Sequence, residues 1–261
     1  MERDCNPGLR SGSAAHYQQI YRDALDWEAR WAEIGAVAKV RAIDHLTRSL
    51  PRPFSALCEM GCGTGAVLGE CMLRGMALKY LAVDASAEAL AYVRTKYGDR
   101  ISTIQHDLET GPPDIPSSPE VVVLSHLLEH LLNPTVLLSG LSRMCQYVVA
   151  EVPLEKQPVP RFLTWFRHLR SLPSKSRSVG HVQFFSVGSF RDLLEASGWR
   201  ILADYLYSPY ASKEVLVAAP RHYNHPVWPA LLSYYMACLL GRRLATRLLC
   251  AHYAVLASPV H

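Results

Sequence analysis

The chain has 261 residues, of which 49% are hydrophobic, and it carries a formal net charge of +4 and seven cysteines. This length and apolar content are enough for one full-size α/β domain with appendages and a substantial core. An odd number of cysteines without a C-x-x-C pair does not indicate a disulfide framework, and the N-terminus has no apolar signal region, so we expect reduced thiols in a cytoplasmic protein.

The N-terminal segment, residues 14–50, has apolar residues at helical spacing, namely Trp27, Trp31, Ile34 and Ala38. The spacing predicts one or two helices, packed across a sheet or over the mouth of a ligand site. We therefore expect residues 1–50 to form an N-terminal helical cap. Tyr17 and Tyr21 are weaker candidates for closing the site.

A glycine-rich turn follows at residues 57–65, where the apolar strand Leu-Cys-Glu-Met leads into three alternating glycines. Glycine lets the backbone approach a ligand, and strand, turn and helix in this order are typical of nucleotide-like ligand sites. A second apolar strand ends at Asp84, about 20 residues past the glycines, where a carboxylate can bind both ribose hydroxyls. Gly61, Gly63 and Ala66 also satisfy the looser nicotinamide fingerprint, so the glycines alone leave two cofactor classes open.

Strand and helix patterns then alternate along the chain, which predicts a parallel sheet covered on both faces. Apolar strands are predicted at residues 101–106, 121–124 and 147–152. A helix is predicted from Ser186 to Gly198. The final prediction is an antiparallel hairpin formed by residues 200–202 and 214–218.

Six features in series resemble the class I S-adenosylmethionine-dependent methyltransferases: Glu59, the three glycines, Asp84, Asp107 after strand three, the apolar strand 121–124, and the polar stretch that follows it. The resemblance covers roughly residues 35–218. It implies an α/β fold with a Rossmann-like doubly wound sheet, mostly parallel with a final antiparallel strand, flanked by N-terminal and C-terminal helices. It also implies S-adenosyl-L-methionine as the cofactor.

The resemblance assigns roles at the cofactor. The glycines would pass close to the methionine and ribose portions, and Glu59 would position the methionine end. Asp84 would accept from the ribose hydroxyls and Asp107 from the adenine amino group, because a carboxylate is an acceptor that matches these donors. The expected cofactor-binding residues are Glu59, Gly61, Cys62, Gly63, Gly65, Asp84, Ala85, Asp107, Leu108 and Ser125.

The stretch Ser125-His-Leu-Leu-Glu-His130 lies where open α/β sheets bind their ligands. Its H-x-x-E-H spacing matches inverted zinc proteases, but Asn133-Pro134 stops the turn too early for that motif. The stretch more closely resembles the E-x-x-E-H of ubiquinone-pathway O-methyltransferases, with His126 in place of the first glutamate. An imidazole there disfavours a hard cation such as magnesium, so a metal is not favoured and none is assigned. His126 or His130 could instead remove a substrate proton, or His130 could fix the turn.

Residues 156–191 contain seven cations and no acidic residue, interleaved with aromatic side chains. This pattern fits a lid for an anionic or amphipathic substrate, a surface for lipid headgroups, or a solvated basic loop. His181 begins a segment that resembles the G-H-x-x-F-F-S of small-molecule methyltransferases, where the histidine lies near the substrate pocket. The candidate catalytic residues are therefore His126, His130 and His181.

The domain prediction places the methyltransferase domain at residues 51–220, with a basic substrate-side insertion at 154–181, and amphipathic helices at 221–261. The predicted function is methyl transfer to an oxygen or nitrogen of a small molecule. The alternatives are an NAD-dependent oxidoreductase and a non-catalytic Rossmann-like binding module. No base-flipping N-P-P-Y motif follows strand four, so we expect no nucleic-acid partner. We expect no transmembrane segment either; peripheral membrane contact and a homodimer are both compatible with the sequence.

Overall fold

The computed structural model describes residues 14–154, 181–207 and 251–260, together with the single positions 235 and 239. The strands of its sheet are β1 (Leu57–Met60), β2 (Tyr80–Asp84), β3 (Ser102–Gln105), β4 (Val121–Ser125), β5 (Tyr147–Leu154), β6 (Trp199–Tyr207) and β7 (Ala251–Pro259). The described helices are α1 (Ala14–Thr47), α2 (Ala66–Leu73), α3 (Ala87–Tyr97), α4 (Pro134–Leu141) and α5 (Val187–Ala196).

The strand order is β3-β2-β1-β4-β5-β7-β6. The first five strands pair in parallel, and β7 lies antiparallel to both β5 and β6. This arrangement confirms the predicted doubly wound, mostly parallel sheet with a final antiparallel strand. Because β7 runs in the opposite direction, its first residues lie beside the last residues of β5 and β6. Polar side chains distant in sequence therefore meet at one edge of the sheet.

Two apolar layers cover the two faces of the sheet, since successive strand residues point to opposite sides. Leu57 of β1 packs in the layer that includes α1, α2 and α3, whereas the next residue, Cys58, packs in the layer that includes α4 and α5. All residues of β1 and β4 are buried. Burial on both faces explains why these strands are almost uniformly apolar.

The closing strand pair differs from its prediction. The partner of β6 is β7, whereas residues 214–218 lie outside the described residues. Residues 251–259 were predicted to belong to the C-terminal amphipathic helices, and that part of the prediction is wrong. Since β7 is inserted between β5 and β6 and buried on both faces, its sequence has no alternating pattern. A short apolar run of this kind cannot be told from a buried helix by periodicity.

The N-terminal helix α1 is continuous over 34 residues. It lies within residues 14–50, where one or two helices were predicted. It packs against α2 and α3, and an ion pair of 2.7 Å joins Arg22 to Glu88 of α3. The side-chain amide of Gln18 donates to the carbonyl oxygen of Ala85 at 3.2 Å, so α1 also touches the loop after β2. None of the described helices combines the length and apolar character needed to cross a membrane.

Candidate active site

The glycine turn between β1 and α2 needs glycine at each of its three alternating positions. Gly61, Gly63 and Gly65 have φ angles of 70°, 51° and 70°, in the left-handed region that other residues rarely adopt. A Cβ atom on Gly63 would also lie 2.4 Å from the hydroxyl oxygen of Tyr21. The turn is therefore shaped by its own backbone and closed on one side by α1.

Asp84, at the end of β2, is held against this turn. Its carboxylate accepts the backbone N–H of Gly63 at 2.8 Å and that of Ser86 at 2.9 Å. Burial raises the pKa of Asp84, and these backbone donors oppose the rise. The two hydrogen bonds fix the carboxylate beside the glycines.

Glu59 lies beneath the turn rather than in the ligand cavity. The side chain is 2% exposed and accepts the backbone N–H of Leu68 at 3.1 Å, in the first turn of α2. Burial raises the pKa of this carboxyl group to about 8. In this structure Glu59 joins β1 to the start of α2, so any effect on the methionine end of the cofactor is exerted through the loop.

A cavity opens at the carboxyl ends of the parallel strands, in front of the glycine turn. Its lining consists of Tyr21, Gly61, Asp84, Ala85, Asp107, Leu108, Glu109, His126, Leu127, His130 and Leu131. Seven of these were predicted site residues: Gly61, Asp84, Ala85, Asp107, Leu108, His126 and His130. The structure thus brings residues predicted for the cofactor and residues predicted for catalysis to one cavity.

The other predicted residues of the cofactor site lie around that lining. Cys62 is buried, and its thiol is free, as are those of Cys58, Cys71 and Cys145. The hydroxyl of Ser125 points to the Oε2 atom of Glu151 at 3.3 Å. Asp107 lines the cavity and also accepts the N–H of Glu109 at 3.1 Å, which caps the short 3-10 helix Leu108–Thr110.

His126 follows β4 with a φ angle of 55°, an unusual value for a residue other than glycine. Its backbone N–H donates to the carbonyl oxygen of Glu151 at 3.1 Å. Both ring nitrogens face buried carboxylates: Nδ1 lies 3.2 Å from Oε1 of Glu129, and Nε2 lies 3.2 Å from Oε1 of Glu151. The turn therefore presents one imidazole between two acidic groups.

Glu151, on β5, contacts four side chains at this edge of the sheet, Ser125 through Oε2 and three others through Oε1. Its Oε1 atom accepts the hydroxyl of Tyr207 at 2.6 Å and lies 2.9 Å from Nδ1 of His252 and 3.2 Å from Nε2 of His126. The two imidazole nitrogens are themselves 3.1 Å apart. We call His126, Glu151 and His252 the inner triad.

Charges within the inner triad are strongly coupled. Burial opposes ionisation of Glu151, but the contacts with the two imidazoles hold its pKa well below the usual range. Burial lowers the pKa of His126, yet its contacts with Glu129 and Glu151 outweigh this effect and raise the pKa overall. Burial and the neighbouring His126 lower the pKa of His252 to about 4. At neutral pH the carboxylate is ionised and His252 is neutral.

A second group, the outer triad, consists of Glu129, His130 and His181. The backbone carbonyl of Glu129 accepts the N–H groups of Val182 and Gln183 at 2.9 and 3.0 Å, which brings His181 next to the turn. The rings of His130 and His181 meet edge to face with centroids 4.8 Å apart. All three histidines predicted to be catalytic thus surround the carboxylate of Glu129, although His181 does not line the cavity.

The carboxylate of Glu129 is unusual because it is 1% exposed and neither of its oxygens accepts a well-aligned hydrogen bond from the described residues. Nδ1 of His126 is close at 3.2 Å, and Nε2 of His130 lies at 3.9 Å. Burial opposes ionisation, but the neighbouring imidazoles hold the pKa of Glu129 at about 2. The group therefore remains an anion in the interior, surrounded by histidines.

Sequence reasoning missed Glu151, Tyr207 and His252. One signal was present for Glu151, since a single carboxylate interrupts the apolar run of β5, and a buried charge there requires partners. His252 had no signal, because its strand was predicted as a helix. Of the cavity lining, Glu109, Leu127 and Leu131 were also not predicted, whereas Tyr21 was a weaker candidate.

Comparison with solved structures shows the same fold in proteins of low sequence identity. The [4+2]-cyclase SpnF matches with a TM-score of 0.62 at 14% identity, covering 97% of this chain and 100% of that one. A chain from the complex of the Haloferax volcanii Trm112 methyltransferase activator with a methyltransferase matches with a TM-score of 0.60 at 14% identity, covering 97% of this chain and 100% of that one. The plantazolicin methyltransferase BamL was solved with a triazolic desmethylPZN analog and SAH. It matches with a TM-score of 0.56 at 13% identity, covering 94% of this chain and 95% of that one.

No curated protein matches the chain. A family model described as "Methyltransferase domain" matches residues 34–204, which is more than half of the sequence. This range includes the glycine turn, Asp84, His126 and His130, the parts that the sequence motifs single out. The chain therefore belongs to the methyltransferase domain family, and its fold is that of the class I S-adenosylmethionine-dependent methyltransferases.

Proposed function

We propose that the chain binds S-adenosylmethionine at the glycine turn and transfers its methyl group to an oxygen or nitrogen atom of a small molecule. The observation that carries this proposal is the shared cavity: Gly61 and Asp84 line it together with His126 and His130. A donor held by the glycine turn and Asp84 would lie beside imidazoles able to take a proton. A cofactor-binding site and a proton acceptor in one cavity are what methyl transfer to a hydroxyl requires.

For the cofactor, we propose that Asp84 accepts from the ribose hydroxyls and Asp107 from the adenine amino group. Both carboxylates line the cavity, and Asp84 is already oriented by two backbone N–H donors. Ala85 and Leu108 provide apolar surface between them. The structure of BamL with SAH supports this choice of cofactor, since that protein has the same fold.

The cofactor supplies a methyl carbon bonded to a positively charged sulfur, ready for in-line displacement. The chain's task is then alignment of the acceptor and removal of its proton. With the cofactor bound, an imidazole at the cavity would take the hydroxyl proton of the acceptor as the methyl group is transferred. We assign this proton to His130, because both ring nitrogens of His126 face the carboxylates of Glu129 and Glu151. His126, which also lines the cavity, positions the acceptor.

The proposed substrate is a small molecule with a hydroxyl or amine group. An anionic or amphipathic substrate would complement the basic residues that follow β5. One cation of that stretch, Arg191, is not part of the proposed substrate contact. Arg191 lies in α5, where it pairs with Asp204 at 3.0 Å and contacts the hydroxyl of Tyr253 at 3.2 Å. The six other cations lie outside the described residues.

The direct test is incubation of the full chain with methyl-labelled S-adenosylmethionine and a panel of small hydroxyl and amine compounds. We expect label to appear in product together with S-adenosylhomocysteine. His130→Gln should lower turnover by about 10²–10⁴-fold on a hydroxyl substrate, as for loss of a general base, without changing S-adenosylhomocysteine affinity. SpnF has this fold and is named a [4+2]-cyclase, so the fold also occurs in a protein with another activity. A product that forms without incorporating the labelled methyl group would therefore contradict methyl transfer.

The cofactor assignment is tested at Asp84. Asp84→Asn should weaken S-adenosylhomocysteine binding by roughly 1–3 kcal/mol in isothermal titration calorimetry, because an amide cannot accept from both the loop N–H groups and the ribose hydroxyls. Asp99→Asn is the matched control, since this exposed aspartate lies in the 3-10 helix after α3. Equal affinity of the two variants would remove Asp84 from the cofactor site.

A further inference from the structure

The inner triad places three metal-ligating atoms within one small triangle. Nε2 of His126 and Nδ1 of His252 are 3.1 Å apart, and they lie 3.2 and 2.9 Å from Oε1 of Glu151. Around a metal bound at about 2.0–2.1 Å, neighbouring ligand atoms are about 2.9–3.4 Å apart, from octahedral to tetrahedral geometry. All three sides of the triangle fall within that interval.

Hydrogen bonding alone satisfies this arrangement poorly. The hydroxyl of Tyr207 also donates to Oε1 of Glu151 at 2.6 Å, so this oxygen has three polar neighbours. An sp² oxygen has two in-plane lone pairs, and once Tyr207 and one imidazole N–H occupy them, the second imidazole nitrogen would face Oε1 with a lone pair of its own. A cation between the rings would accept the lone pairs of both nitrogens and of the carboxylate.

We propose that His126, Glu151 and His252 bind one divalent transition-metal ion, with Zn²⁺ as the best match. Two imidazoles and one carboxylate suit zinc and similar ions and disfavour Mg²⁺ and Ca²⁺, which prefer oxygen ligands. The sequence-based argument against a metal concerned a hard cation at the position of His126, and it does not apply to zinc. Glu151 and His252 come from β5 and β7, so no sequence motif announces this site.

The surroundings of His126 agree with a ligand role. Metal-bound histidines commonly donate their second ring N–H to a carboxylate, which fixes the orientation of the ring. Nδ1 of His126 faces the buried carboxylate of Glu129 at 3.2 Å, and that carboxylate accepts no well-aligned hydrogen bond from the described residues. Ser125 contacts the other oxygen of Glu151 at 3.3 Å. Each of these two ligands therefore has an outer partner in place.

Access is from the cavity. The His126 side chain is 25% exposed and lines the cavity, whereas those of His252 and Glu151 are 12% and 3% exposed. Three protein ligands with a fourth position toward a cavity form the pattern of catalytic zinc sites. Metal binding does not depend on the proposed methyl transfer. If both hold, an ion there would lower the pKa of an acceptor hydroxyl, and only this last role rests on the proposed function.

The outer triad is the competing location. Its ligand atoms are more widely spaced, with 3.9 Å between Nε2 of His130 and Oε1 of Glu129, beyond the interval of a metal's first coordination sphere. The two locations can be separated by mutation, because His252 belongs to the inner triad alone and His181 to the outer triad alone.

The test is Zn²⁺ titration of the chelator-treated full chain by calorimetry, with Co²⁺ absorption spectroscopy as a second readout. We expect one ion per chain and visible Co²⁺ bands typical of low coordination number. His252→Gln should weaken Zn²⁺ binding by at least ~100-fold, and Glu129→Gln by about 10–100-fold through the outer partner of His126. His181→Gln and His106→Gln should bind as the unchanged chain does.

Three results would overturn the proposal: no binding by the unchanged chain, equal binding by all variants, or loss confined to His181→Gln. If His252→Gln does not fold, the ligand set seen by X-ray absorption does not identify the site, because both triads supply two imidazoles and one carboxylate. The Co²⁺ form of Glu151→Gln then separates them, because only the inner triad contains Glu151. S-adenosylhomocysteine binding is measured separately, so failure of the metal site and failure of the cofactor site are distinguishable.

Discussion

Glu59 shows how one residue can be required by a loop and still weaken the fold. The side chain is buried under the glycine turn, where it accepts the N–H of Leu68, and burial raises its pKa from 4.5 to about 8. The positive charge of Lys39 opposes this rise, whereas Asp84 and Glu151 add to it. Between these two pKa values the unfolded chain has lost a proton that the folded chain retains.

Folding stability therefore falls as pH rises across this interval, by about 1.4 kcal/mol per pH unit at most from this group. Glu59→Gln keeps an oxygen that can accept from Leu68 and removes the titration. We expect the free energy of unfolding of Glu59→Gln, relative to the unchanged chain, to increase steadily from pH 5 to pH 8. Urea denaturation at several pH values measures this difference.

The exposed Glu195→Gln on α5 is the matched control for the removal of one carboxyl group. If the free energies of unfolding of Glu59→Gln and the unchanged chain differed by the same amount at every pH, Glu59 would be ionised in the folded protein. It would then act as a charge at the N-terminus of α2 rather than as a neutral hydrogen-bonding group.

At the scale of elements, β7 makes the sheet continuous from β5 to β6. Its register with β5 pairs Val149 with Leu256, and its register with β6 pairs Leu256 with Ala203. Leu256 is 1% exposed and packs in the layer that includes α1. The last strand in sequence is thus an internal strand of the sheet, and the folded domain depends on it.

Leu256→Ala should accordingly lower the free energy of unfolding by about 2–5 kcal/mol, the cost of truncating a buried leucine. Leu202→Ala, on the neighbouring strand β6, is the matched control because its side chain is 45% exposed, and we expect a change within about 0.5 kcal/mol. Chemical denaturation of both variants measures the difference. Similar losses in the two variants would argue against a buried β7.

For the molecule as a whole, the cavity joins parts of the chain that differ in sequence position and in element type. Tyr21 comes from α1, Asp84 from β2, Asp107 from the loop after β3, and His126 from the turn after β4. Because these parts meet only in the folded state, a ligand bound there should stabilise the whole fold by mass action.

S-adenosylhomocysteine at 100 times its dissociation constant should therefore add about 2.7 kcal/mol to the free energy of unfolding, seen as a rise in Tm. NAD at the same concentration should give no rise, which separates the proposed cofactor from the nicotinamide alternative that the glycines left open. Stabilisation by NAD and not by S-adenosylhomocysteine would reverse the assignment. Differential scanning calorimetry gives both results.

The sequence by itself determined the first half of the sheet and one side of the cavity. The strand before the glycine turn, the left-handed glycines, Asp84 and the cap of α3 by Ser86 are local features, set by backbone conformation and by residues close in sequence. The predicted roles of these residues toward the cofactor stay predictions. Because these features depend on residues close in sequence, the spacing of residues along the chain was enough to predict them.

The tertiary structure alone decided the other side of the cavity. Glu151 and His252 are 101 residues apart, and their meeting depends on the insertion of β7 between β5 and β6. A strand buried on both faces has no alternating pattern, so the sequence did not distinguish it from a helix. The partners of His126 are therefore set by sheet topology, and long-range pairing of this kind has no counterpart in the spacing of residues along the chain.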